Sequence, residues 1–251
     1  MHTVFSDIDD TLTTDGHLTV EAFAALAALR NAGVRVVLVT GRPAGWCDHI
    51  ARMWPVDAVI GENGAFYLWY DSPARKLKSR HIADAALRAS NTARMADVRE
   101  QILREVPGCA IASDQFCRLY DLAIDFCEDV PPLPAGDVQR IVQLMEAAGM
   151  TAKVSSIHVN GWFGTYDKLS MAQVLTRERF AFELDAERER CAFVGDSPND
   201  VPMFAYLPHA VGVANIARFG LSAGQAPAYV TPSAGGAGFA ELAGHLIAAR
   251  G

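Results

Sequence analysis

Hydrophobic positions along the chain fall into short continuous runs separated by stretches with helical spacing, the pattern of a parallel sheet covered by helices. "HTVFSD" near the amino terminus reads as a first strand, and "VEAFAALAALRNAG" as a helix of good helix formers closed by Gly33. "VRVVLVT" is a β-branched run of the kind buried on both faces, "RPAGWCDHIARMW" a second helix, and "AVIGENG" a third strand ending in a turn. The rhythm then changes. A hairpin is predicted around Asp71 to Pro73, followed by a polar helix near "DVREQILREV", a strand in "RLYDLAIDF", a helix in "GDVQRIVQLMEAAG" and a strand in "KVSSIHVN". The first rhythm resumes with helix "KLSMAQVLTRERFAF", strand "RCAFVGD", helix "NDVPMFAYL", strand "HAVGVA", a short strand at "AYVT" and a last helix "FAELAGHLIAAR". The glycine-rich "SAGGAG" reads as a loop before that helix, because no lysine follows in P-loop spacing.

These elements predict an α/β protein: a Rossmann-like parallel-sheet core made of residues 1–82 and 159–251, with an α+β cap inserted at residues 83–158. The 251 residues are 51% hydrophobic, enough for a sizeable core. A net charge of −7 disfavours nucleic acid or an anionic membrane as the main partner, and leaves room for a small anionic ligand where positive charge is concentrated. No window approaches the ~20 apolar residues of a membrane span. Cys47, Cys109, Cys117, Cys127 and Cys191 are odd in number and never in a C-x-x-C pair, as for reduced thiols. The expectation is a soluble, cytoplasmic protein, a monomer or small homo-oligomer, with neither a disulfide framework nor a zinc site.

In an open parallel sheet, ligands bind beyond the carboxyl ends of the strands. Here those ends carry "DIDDT", "TGRP", "ENG" and "GDSPND", so acidic and hydroxyl side chains from distant segments would converge on one rim. A single such motif reads equally well as turn formers and helix caps. Carboxylates crowded together repel one another, and a hard divalent cation relieves them; Mg²⁺ needs only one or two, which suits Asp7 and Asp196.

"DIDDT", "VTGRP", Lys168 and "GDSPND", in that order, resemble the four motifs of the haloacid dehalogenase superfamily of phosphohydrolases. "ENGA" and the position of the insertion resemble its subclass IIB, the Cof-like and sucrose-phosphatase-like sugar phosphatases. The resemblance implies a Mg²⁺-dependent phosphatase that hydrolyses a phosphate monoester of a sugar or sugar-like metabolite through an aspartyl-phosphate. Asp7 would be the nucleophile, and Asp9 the general acid and base whose backbone carbonyl also meets Mg²⁺. Thr40 and Gly41 would hold phosphoryl oxygens; Arg42 fits either a phosphate contact or a structural place at a helix start. Lys168 would neutralise phosphate charge. Of the chain's four lysines it stands alone at the head of a core helix, although "TYDKLSMA" departs from the small-Lys-Gly pattern of the subclass. Asp196 would ligate the metal directly, while Asp200 orients metal-bound water or Lys168 or ligates as well, and Asn199 fixes that network. Asn63 and Gly64 would line the pocket, whereas Glu62 reads equally as a solvated turn residue.

The cap offers Gln115, Arg118, His158, Asn160 and Trp162 for a sugar or a second anionic group, and each has an ordinary structural explanation as well. Two alternatives stand beside the phosphatase: a phosphomannomutase-like phosphomutase of the same superfamily and a non-catalytic sugar-phosphate-binding protein. The pairing of a nucleophile with a general acid argues against the second.

Overall fold

The computed structural model of the chain describes residues 1–155 and 157–250. From the amino terminus, β1 (Thr3–Ser6) is followed by a small flap, β2 (Thr13–Thr14) and β3 (His17–Leu18), then α1 (Val20–Asn31), β4 (Arg35–Val39), α2 (Ala44–Met53) and β5 (Ala58–Gly61). The hairpin of β6 (Phe66–Asp71) and β7 (Lys76–His81) leads into the cap, which comprises α3 (Ala85–Glu105), β8 (Ala110–Ile111), β9 (Asp121–Asp125), α4 (Ala135–Ala147), β10 (Thr151–Val154) and β11 (His158–Trp162). The chain returns through α5 (Lys168–Arg179), α6 (Leu184–Glu187), β12 (Cys191–Gly195), α7 (Val201–Tyr206), β13 (His209–Gly212), β14 (Tyr229–Val230) and α8 (Gly235–Ala248).

Strands order as β14-β13-β12-β1-β4-β5-β6-β7 in an eight-stranded sheet, parallel from β14 to β5 and antiparallel in the added hairpin. The continuous apolar runs reflect burial on both faces. Val4, Val36, Leu38 and Val194 pack toward one layer with Leu26 of α1 and Phe239 of α8, while Phe5, Val37, Val39 and Phe193 pack toward the other with Met171 and Leu175 of α5. β1 lies centrally between β12 and β4, so the loops after these three strands are neighbours.

The cap is a separate antiparallel sheet, β10-β11-β9-β8. Its period-2 pattern divides the work: Leu122, Ile124 and Val159 pack beneath α3 and α4, while His158, Asn160 and Asp121 occupy the intervening positions. Among the described residues, no helix is long and apolar enough to cross a membrane.

Several elements differ from the sequence expectation. The single strand read in "KVSSIHVN" is two, β10 and β11, paired antiparallel; Ser156 of that stretch lies outside the described residues. β11 continues to Trp162, so the boundary expected at 158/159 falls inside a cap strand. The polar helix expected near Asp97 begins twelve residues earlier at Ala85, with the Asp84 side chain accepting the Leu87 amide at 2.8 Å. Only its later part, with Met95, Val98 and Ile102, is buried, which is why its first turns carry little apolar pattern. The glycine-rich run is the first turn of α8, not a loop. A Cβ at Gly236 would press on the Leu12 carbonyl and Thr19 hydroxyl, so glycine lets this helix seat closely against the flap.

Candidate active site

β1 delivers Asp7 to the rim, its amide bonded to the Val194 carbonyl at 2.9 Å. Lys168, at the first position of α5, reaches between two carboxylates: Nζ donates to Asp7 Oδ1 at 2.9 Å and to Asp200 Oδ1 at 2.7 Å. All three side chains are buried. Burial alone would lower the Lys168 ammonium, but the Asp200 and Asp7 carboxylates outweigh it and raise its pKa. Burial pushes the Asp7 carboxyl well above its ordinary value against the pull of Lys168, and Asp200 and Asp196 push it further.

The unusual sequence around Lys168 has a local reason. Asp167 caps α5 by accepting the Ser170 amide at 2.8 Å, and Ser170 Oγ accepts the Asp167 amide at 2.9 Å, a closed capping box. Gly64, at φ +109°, lies so close to the Asp167 carbonyl that a Cβ would overlap it. The turn after β5 therefore sets where α5 begins and how far Lys168 reaches.

Asp196 follows β12 and is buried; burial first, then the charges of Asp200 and Asp10, push it up to about 7. Asp200 spends its other oxygen on the amides of Asp196 at 3.0 Å and Ser197 at 3.2 Å, so it holds both Lys168 and the motif loop. Oxygens of Asp7, Asp196 and Asp200 lie within 4.8 Å of one another, a buried all-oxygen set with the chemistry of a hard cation site.

Thr40 is fully buried, its hydroxyl accepting the Arg42 amide at 3.0 Å, and Gly41 lines the cavity beside Asp7. Asn63 accepts from Asn199 Nδ2 at 3.4 Å, while its own Nδ2 is buried without a hydrogen-bond partner. Ser197 Oγ donates to Asn199 Oδ1 at 2.6 Å, fixing that amide. Asp10 turns away with φ 56°, a left-handed conformation, and pairs with Arg218 at 2.7 Å.

Arg42 is neither a surface arginine nor a free cation. Its Nε and Nη2 grip Asp9 at 3.0 Å, Nη2 meets Glu128 at 3.2 Å, Nη1 lies 3.5 Å from Asp114, and the guanidinium covers the Trp46 ring. Arg118 lines the cavity but is largely spent on Asp114, Asp121 and the Gly41 carbonyl. Gln115 is consumed by backbone, with Nε2 donating to the Asp121 carbonyl and Oε1 accepting the Ala123 amide, both at 2.9 Å. Trp162 is buried and stacked on Tyr166, in the core and away from the cavity. Asn160 donates to Asp121 at 2.9 Å.

Glu62 departs furthest from the solvated turn residue that the sequence allowed. It is fully buried, and its carboxylate accepts the amides of Ala44, Leu119, Tyr120 and Asp121 at 2.6–3.2 Å, tying the core to the cap. Burial and the Asp121 charge push it up to about 8 against the pull of those donors and Arg118.

Asn215 and Arg218 join the site without having been flagged, donating to Asp196 Oδ2 at 3.2 and 3.0 Å. Their signal was available, since they follow β13 at the same rim. Asp114 and Glu128 carried none, because their importance lies in facing Arg42 across the cap seam. Asp7, Asp9, Gly41, Arg42, Arg118, Ser155, Ile157, His158, Asn160, Ser197 and Asn199 enclose a cavity of about 20 Å³, room for roughly one water.

Residues 4–98 match the family model described as haloacid dehalogenase-like hydrolase. That match spans 95 of the 251 residues. A phosphoglycolate phosphatase from Pyrobaculum islandicum is 28% identical over 246 residues, covering 96% of this chain and 94% of that protein. A solved structure from Thermoplasma acidophilum superposes with a TM-score of 0.72 at 18% identity, covering 98% of this chain and 97% of the other. The Synechocystis sucrose-phosphatase, solved with sucrose and phosphate, gives 0.66 at 18% identity and 97% of both chains. These two share the fold. A protein from Methanothrix thermoacetophila, 26% identical over 246 residues and covering 97% of this chain and 96% of its own length, is likewise a phosphoglycolate phosphatase.

Proposed function

We propose that this protein hydrolyses a small phosphate monoester by transferring the phosphoryl group to Asp7 and then to water, with Mg²⁺ bound at Asp7 and Asp196. The observation that carries the reading is Lys168 Nζ held between Asp7 and Asp200 beside the buried Asp196 carboxylate. The buried oxygen set fits a hard cation, and the excess of carboxylates over cations calls for one. Bound there, Mg²⁺ would supply positive charge against the phosphoryl oxygens.

The chain's own groups account for the rest. Asp7 attacks phosphorus as the ester oxygen departs, and Lys168 stays on the Asp7 side to offset the dianion's charge. Asp9, on the same cavity wall and held by Arg42, gives its proton to the leaving oxygen and later takes one from the attacking water. The unpartnered Asn63 Nδ2 and the buried Thr40 hydroxyl suit phosphoryl oxygens. Asp200 positions Lys168 and the motif loop.

For the ester itself, the narrow cavity and the consumption of Gln115 by backbone favour a short acid such as phosphoglycolate, the compound named for the Pyrobaculum relative. A phosphosugar is the second reading, favoured by the uncharged polar groups of Ser155, Asn160, Ser197 and Asn199 on the cavity wall. A panel of 2-phosphoglycolate, hexose phosphates and p-nitrophenyl phosphate, followed by phosphate release with Mg²⁺, tests the proposal. Asp7→Asn should abolish release throughout the panel; retained turnover would overturn the nucleophile assignment, and isomerised hexose phosphate without release would point to a mutase.

A further inference from the structure

Glu128 bridges two cavity-lining groups from different domains without lining the cavity itself. Its Oε1 lies 3.2 Å from Arg42 Nη2 of the core, and its Oε2 lies 2.9 Å from His158 Nε2 of the cap. The imidazole contact is close but misaligned, so the buried Nε2 has no well-formed hydrogen bond. Arg42 and His158 both face the space that contains Asp7. We propose that Arg42 and His158 form the subsite for a substrate carboxylate, and that Glu128 is an internal stand-in which the substrate displaces.

The inference rests on the phosphatase reading above and deepens it by assigning the acid end of the substrate. A guanidinium and an imidazole N–H converging on one carboxylate are suited to recognising carboxylate ligands. Here they already hold one, supplied by the protein. Glu128 is able to leave. It sits on the segment between β9 and α4, its side chain is 29% exposed, and its backbone is anchored separately through its amide to Asp125 Oδ1 at 2.8 Å. Swinging the side chain into solvent therefore need not unfold the turn.

Charge bookkeeping points the same way. Arg42 faces Asp9, Asp114 and Glu128, three carboxylates around one guanidinium. An incoming carboxylate that replaces Glu128 leaves that balance unchanged, whereas an uncharged leaving group would leave Arg42 and His158 short of a partner or keep Glu128 in place. The exchange selects for acidic esters by rejecting neutral ones.

The subsite is tested with Glu128→Gln, Glu128→Ala and His158→Gln, comparing kcat/KM for 2-phosphoglycolate with that for p-nitrophenyl phosphate. Losing the competitor should raise the ratio in both Glu128 variants by about tenfold, and losing the imidazole should lower it by about tenfold, as for one charged hydrogen bond. Calorimetric binding of 2-phosphoglycolate to Asp7→Asn protein carrying the same changes should tighten for Glu128→Gln and weaken for His158→Gln. Ratios that stay unchanged or move the opposite way would overturn the subsite, as would absence of 2-phosphoglycolate binding. Failure of wild-type protein to release phosphate from p-nitrophenyl phosphate would instead overturn the phosphatase reading, leaving the binding measurement to judge the subsite.

Discussion

The Glu62 carboxylate of the core accepts the Tyr120 amide of the cap at 2.6 Å, the shortest of its contacts across the seam. Both of its oxygens accept backbone amides, so above pH 8, where Glu62 is ionised, Glu62→Gln would turn one acceptor into a donor facing donors. A loss of about 2–4 kcal/mol is expected from urea unfolding. An unchanged midpoint would show that the carboxylate does not anchor the two parts.

Asp9→Asn should slow hydrolysis of an alkyl ester such as 2-phosphoglycolate by about a hundredfold or more while affecting p-nitrophenyl phosphate far less, because nitrophenolate departs without a proton. Steady-state kinetics with the two substrates measures the difference. Equal losses on both would refute the general-acid role.

Mg²⁺ should raise the thermal midpoint if it is held by the buried carboxylates of Asp7 and Asp196, which the folded chain brings together and the unfolded chain does not. For a chain of this size the shift is about 2–4 °C per kcal/mol of linkage. Asp196→Asn should remove most of it in differential scanning fluorimetry; a full shift in that variant would place the cation elsewhere.

Acid should loosen the contacts of Glu128. The nearby His158 imidazole and the Arg42 guanidinium hold its carboxyl down to about 2 against the effect of burial, compared with an ordinary 4.5. The folded protein thus binds this proton more weakly than the unfolded chain. The stabilisation is present above pH 4.5 and is lost as the pH falls toward 2. Glu128→Gln should flatten that part of the pH–stability profile, and an unaltered slope would show that the bridge contributes nothing.

Asp7, Lys168 and Asp196 were legible in the sequence because each stands immediately after a buried strand or at the head of a core helix, where topology leaves few directions to point. The cap resisted such reading. Its hairpin between β10 and β11 lacks the glycine or proline that announces a turn, and the first turns of α3 are too exposed to show periodicity. Glu62 and Glu128 were opaque for a deeper reason, since the cap partners of Glu62 lie 57–59 residues away and the core partner of Glu128 lies 86 away, and only the docking of cap on core selects them. The capping box of Asp167 and Ser170, by contrast, is local, and it accounts for a departure from family pattern around Lys168.

Asp7 faces a cavity of about 20 Å³ between core and cap, so the fit of the cap on the core sets the space left beside it. The polar contacts joining Arg42 to Glu128 and Arg118 to the Gly41 carbonyl cross that seam. A cap that parts from the core would widen this space while leaving the Asp7–Lys168 pair, which lies wholly in the core, in place.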